Sequence, residues 1–165
     1  MDHGACFAAF AAGSACLFAA LIADVRSLLG GIGLAFLLAA SVGVAMAAVY
    51  PMDPVSTAPE QMSFTGRMHG VSFMIGVPGM VVAVLLLSIA LRQQTTHASL
   101  PLLLLTAVVW LSLVVMITIM LMVGPGKPPN PNGPERFLGW PNRMLMVAYA
   151  VWLMVAAWPM ARDGT

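Results

Sequence analysis

Charge is what this sequence has least of. Of 165 residues only 8% are Asp, Glu, Lys or Arg, seven basic against six acidic, for a formal net charge of +1. Such a balance provides neither a basic field for nucleic acid nor an acidic tail, so nucleic-acid partners are excluded. Cysteine is scarce too. Cys6 and Cys16 are the only two, and ten residues of helix would hold them about 15 Å apart, too far for a disulfide. They read as small packing residues and do not report the redox compartment. Basic residues are also missing from the start: Met1-Asp2-His3 is no cationic n-region, so the apolar run behind it reads as a spanning helix rather than a secretory signal. No lipidation motif or organelle address is visible.

Apolar side chains fill the space that charge leaves. The chain is 61% hydrophobic with a mean hydropathy of +0.95, which places it among integral membrane proteins. The expected fold is all-α, a single transmembrane domain and integral membrane bundle of five helices at about 6–23, 28–50, 65–91, 99–123 and 143–160. The first two carry small residues four apart, Ala9 and Gly13 in one, Ala35, Ala39, Gly43 and Ala47 in the other. Such rows let backbones approach closely in lipid, where van der Waals contact drives association. In the third, Gly76-Val77-Pro78-Gly79 predicts a mid-membrane kink that opens a pocket or a packing gap. The proline-rich stretch 124–134 predicts a stiff, extended lid.

Five spans put the amino terminus, the 51–67 loop and the proline-rich loop on one side, and the short turns at 24–27 and 92–97 with the carboxyl terminus on the other. Lys and Arg counts barely separate the two sides. The basic residues of the second set sit in short turns, whereas Arg67 and Arg143 have acids nearby. A multi-pass cell-membrane protein with external large loops and a cytoplasmic carboxyl terminus is therefore expected.

The ionisable residues that remain gather at one mouth. Asp53 follows the end of the second helix, where the macrodipole is negative, and Arg143 opens the fifth, where it is positive. Each is poorly placed alone, so an Asp53–Arg143 ion pair with His69 across the gap is expected. Partly desolvated ionisable groups in a membrane point to function. His69 and Asp53 are the catalytic candidates, and Asp53, His69, Ser72 and Arg143 the substrate-binding ones. A His beside a carboxylate suits a general base, and a guanidinium suits a phosphate or carboxylate head group. Ser72 and Thr65 are possible hydroxyl partners. No nucleophile elbow, P-loop or metallopeptidase spacing is present, which leaves catalysis open.

No cofactor or metal is expected. His69 and His97, at opposite ends of the third helix, stand about 40 Å apart and cannot share a haem. The 14 methionines, with Met116 and Met120 four apart and Met68 beside His69, allow a copper(I) path. Their dispersal favours gap-filling instead.

Val49-Tyr50-Pro51-Met52-Asp53-Pro54, the polar loop after it, His69-Gly70, and Arg143 ahead of Trp152-Leu153 resemble the domain of unknown function 998 family. That resemblance spans about 28–160. It implies a polytopic prokaryotic membrane protein with an aromatic-Pro-x-Asp-Pro motif, a His about two turns into the next span, and a Gln-Arg pair before the last. Here Asn142-Arg143 takes the place of Gln-Arg, and the chain, with five spans rather than the usual six, lacks the family's first helix. The family has no settled activity. Three readings stand: a pocket that binds a lipid-like or isoprenoid amphiphile, with modifying or moving it as an extension of that reading; an accessory subunit of a larger membrane complex; and a copper(I) path.

Overall fold

A computed structural model describes residues 3–54, 57–94, 99–123 and 139–163. The proline-rich lid expected at 124–134 and His97 lie outside the described residues. Five α-helices account for nearly all of the rest: α1 His3–Leu21, α2 Leu28–Val49, α3 Phe64–Gln94, α4 Ser99–Val123 and α5 Gly139–Asp163, with a short 3-10 turn at Pro59–Gln61. Each expected helix is found within a few residues of its expected ends. α1 to α4 are each long and apolar enough to cross a membrane. α5 opens on Pro141, Asn142 and Arg143, and no stretch of that apolarity occurs in it among the described residues.

Ser27 shows how the first return is made. Its extended backbone stops the chain before α2, and its hydroxyl accepts a hydrogen bond from the Gly30 N–H at 3.1 Å, satisfying one of the helix's unpaired donors. Asp24-Val25-Arg26-Ser27 is thus the tight hinge that its length implies.

Each helix packs on the next, and α1 also touches α5, which closes the bundle; α3 reaches across to α5. The tightest seam joins α2 to α3. A Cβ on Gly43 would collide with the Gly76 backbone, and one on Gly79 would lie 2.7 Å from the Ala40 nitrogen. Contact at this distance is what small residues permit in lipid. The seam runs through Gly33, Leu37, Ala40, Gly43 and Val44, all buried, whereas Ala35 is exposed. It mixes steps of three and four rather than keeping to four. α3 stays helical through Pro78; Gly76 and Gly79 let its backbone meet that of α2, and Gly76 and Val77 also line a small cavity beside the seam.

Buried hydroxyls pin the helices together. Ser41 of α2 donates to the Ala11 carbonyl of α1 at 2.9 Å. Ser14 of α1 donates to its own helix at Phe10, which leaves the Tyr149 hydroxyl of α5 to donate to Ser14 at 2.8 Å. The Trp152 indole N–H of α5 donates to Ser88 of α3 at 2.8 Å. Ser88 meets Thr106 of α4 at 2.8 Å, and Thr106 donates to the Leu102 carbonyl. Trp152 and Tyr149 are fully buried, with rings stacked 6.3 Å apart. Without water to turn to, each polar group in such a core needs a protein partner, and these have one.

Candidate functional site

Of the residues expected at the mouth, Asp53 and His69 lie at the end of the bundle where α2 stops and α3 begins. Tyr50 caps α2, and its ring meets Phe64, the first residue of α3, edge to face at 6.1 Å. The intervening chain folds back on itself through backbone bonds from Thr57 to Pro54 and from Gln61 to Ala58. Asp53 closes this return. Its carboxylate accepts from the Ser63 N–H at 2.7 Å and from the Ser63 hydroxyl at 2.8 Å. The same hydroxyl accepts from the Gly66 N–H at 3.0 Å, so Ser63 sits at the N-terminus of α3 with the acid directly behind it. Gly66 makes room for it, because a Cβ there would run into the carboxylate.

Asp53 therefore finds its positive partner in the dipole and free N–H groups of α3. No hydrogen bond or ion pair joins it to Arg143 among the described residues. Arg143 is exposed on α5. Its neighbour Asn142 is the residue that faces the other members of the site.

His69 is held by the end of α2. Its Nδ1 lies 2.8 Å from the Tyr50 carbonyl, and since a carbonyl only accepts, Nδ1 carries the hydrogen. In the neutral ring the lone pair then belongs to Nε2. Ser72, buried one turn on, donates to the His69 carbonyl at 2.6 Å. His69 and Ser72 line a small cavity of about 70 Å³ together with Asn142 of α5. Phe7 of α1, Val44 of α2, and Phe73, Val77 and Met80 of α3 form its apolar part. Four helices thus contribute to a half-open cleft with a polar rim and a greasy floor. That volume holds a few waters or a small polar fragment, well below the several hundred Å³ of a site that engulfs a whole ligand.

Two of the four expected residues, His69 and Ser72, share the cleft; Asp53 organises its border, and Arg143 lies outside its lining. Asn142, legible in the sequence as the amide standing in place of the family's Gln, had no role assigned to it there. The methionines divide between core and lipid: Met80 and Met116 are buried, Met120 is half exposed. Among the described residues no three of His, Cys, Asp and Glu stand close enough to hold a metal ion.

The family model described as protein of unknown function (DUF998) matches residues 2–159. The chain belongs to this family. The match takes in α1 as well as the stretch from α2 onward that carries the sequence resemblance, so the cleft of this DUF998 protein, Phe7 included, lies within the family region. Nothing among curated proteins or solved structures matches the chain. With four helices of spanning length and apolarity, it is a multi-pass membrane protein.

Proposed function

We propose that this DUF998 protein binds a lipid-like or isoprenoid amphiphile by its polar end, at a cleft opening toward the outer membrane surface. The observation that carries the reading is the cleft itself, in which His69, Ser72 and Asn142 face apolar side chains from α1, α2 and α3. His69 Nε2 and the Asn142 amide supply the hydrogen bonds, and Ser72 holds the backbone beneath His69. Arg143, exposed and next to Asn142 along the chain, would meet a phosphate or carboxylate on the ligand. Asp53 is a positioning residue that keeps the loop folded on α3. The cleft's size fits only the head or the first few atoms of such a molecule, so its tail stays in the bilayer. His69 Nε2 also suits a general base should the ligand be modified, with Asp53 too distant in role to share the proton.

Native mass spectrometry of the protein extracted in mild detergent tests this. A bound amphiphile is expected on the wild type and absent from His69→Ala and Asn142→Ala variants that keep the wild-type melting temperature. Retention by both variants would overturn it.

A second reading, an accessory subunit of a larger complex, is favoured by one face of α1. Ala5, Ala9, Ala12, Cys16 and Ala20 all lie exposed along it, and Gly13 comes no nearer to another helix than Leu153 at 3.9 Å from a Cβ placed there. Purification in mild detergent with a stoichiometric membrane partner, lost on Ala9→Leu, supports it; an unpartnered Ala9→Leu-insensitive protein opposes it. A copper(I) path through the methionines is a third proposal, decided by metal analysis.

A further inference from the structure

α3 carries a second depression on the side turned away from the cleft. Met62, Arg67, Gly70, Val71, Met74 and Ile75 line an open groove of about 400 Å³. Steps of three and four make Arg67, Gly70, Val71, Met74 and Ile75 a single stripe down the helix, and all five are exposed. His69, Ser72 and Gly76 occupy the opposite face and take part in the cleft or the α2 seam. The notch in the stripe is Gly70, where a Cβ would meet nothing within 4 Å. Among the described residues nothing fills it, so a molecule from outside the chain has room to.

Depth and charge say which molecule. The Tyr50–Phe64 pair marks the interface, and Arg67 stands one turn further in along α3, where headgroup phosphates lie. Its guanidinium has no side-chain partner among the described residues, its backbone N–H alone being engaged, by Ser63. Below it, Met74 is 73% exposed and sits about 10 Å deeper at 1.5 Å per residue. A cation above an apolar channel is the complement of a phosphate above an acyl chain, and Arg grips phosphate through two parallel N–H bonds. None of the lining residues is a carboxylate. A zwitterionic headgroup would bring its own ammonium next to Arg67 with nothing to answer it, so an anionic headgroup is favoured.

We propose that this groove holds one diacyl phospholipid with an anionic headgroup, its phosphate on Arg67 and one acyl chain laid over Gly70 between Val71 and Met74. The site is separate from the amphiphile cleft and does not depend on it.

Native mass spectrometry of the full chain, titrated with phosphatidylglycerol and with phosphatidylcholine of the same chain length, tests the proposal. One phosphatidylglycerol is expected to bind in preference. Arg67→Gln should weaken it about tenfold and erase the preference, since about 1.4 kcal/mol separates the two. Gly70→Leu should weaken both lipids by filling the notch. Both variants should melt like the wild type, because neither residue packs on the bundle with its side chain, and His69→Ala should keep the lipid while losing the cleft ligand. Equal binding of the two lipids by the wild type, or wild-type phosphatidylglycerol affinity in either variant, would overturn it.

Discussion

At the residue scale the mouth is built by answering one misplaced charge. Asp53 lies just past the C-terminal end of α2, where an acid is disfavoured, and the chain corrects this by turning the carboxylate onto Ser63 and the start of α3. Asp53→Asn keeps an acceptor but removes the charge, and should lower stability by about 1 kcal/mol, read as a drop in melting temperature in detergent. Gly66→Ala should do comparable damage by evicting the carboxylate. The Asp53→Asn/Gly66→Ala pair should fall short of the sum, since both act on one contact. The sequence made Asp53's need legible, as an acid at the wrong helix end. Its partner was not legible. Arg143 stands out because a base at the start of α5 is itself misplaced, whereas Ser63 reads as any loop serine until its N–H and hydroxyl are seen to hold Asp53 at the start of α3. The role of Asn142 was hidden the same way, as that of an uncharged residue beside a charged one.

At the scale of elements, two kinds of contact hold the helices, and they respond differently to substitution. Along the α2–α3 seam, backbone touches backbone. Gly43→Ala should cost about 1–3 kcal/mol because the methyl has only backbone, that of Gly76 and Ser72, to push against. Gly31→Ala, in the same helix but facing open space, should be neutral or gain up to about 1 kcal/mol from the helix propensity of alanine. Thermal unfolding of the two variants side by side separates packing from propensity. The rows of small residues were legible in the sequence, but the face was not: a strict row of four drifts around the helix, while the seam alternates three and four, which keeps to one face of a 3.6-residue period. The hydroxyl contacts were less legible still, because Ser14, Ser88 and Thr106 are single polar residues in long apolar runs with no mark of their partners. Tyr149→Phe removes the α5 to α1 bond and leaves Ser14 still donating to Phe10. Its cost should be about 0.6 kcal/mol and no more than about 1.7, with Ser14→Ala/Tyr149→Phe confirming the coupling.

For the whole molecule the open question is α5, which seals the bundle against α1 and supplies its largest buried rings, yet begins and ends among polar residues. Two tryptophans indicate how it lies. Trp140 and Trp158 are each 63% exposed, near opposite ends of the helix and about 27 Å apart along its axis at 1.5 Å per residue. That separation is close to the roughly 30 Å of the hydrocarbon layer, and tryptophan settles at both of its boundaries. From Met144 to Ala161 no Asp, Glu, Lys or Arg interrupts the run. Tyr149 and Trp152, between the two boundaries, have their polar atoms satisfied by Ser14 and Ser88, as a span demands. These features support a crossing α5 with its charged ends outside the lipid. A crossing α5 puts the chain's end on the side of the α1–α2 hinge and opposite the Asp53 loop. In a Cys6→Ser/Cys16→Ser background, a membrane-impermeant maleimide should label Gln61→Cys on intact cells, and should label Arg26→Cys and Thr165→Cys only after permeabilisation. Labelling of Thr165→Cys together with Gln61→Cys would mean that α5 turns back within its own leaflet. The ring that α1 and α5 close would then have to be held outside the lipid that its apolar faces require.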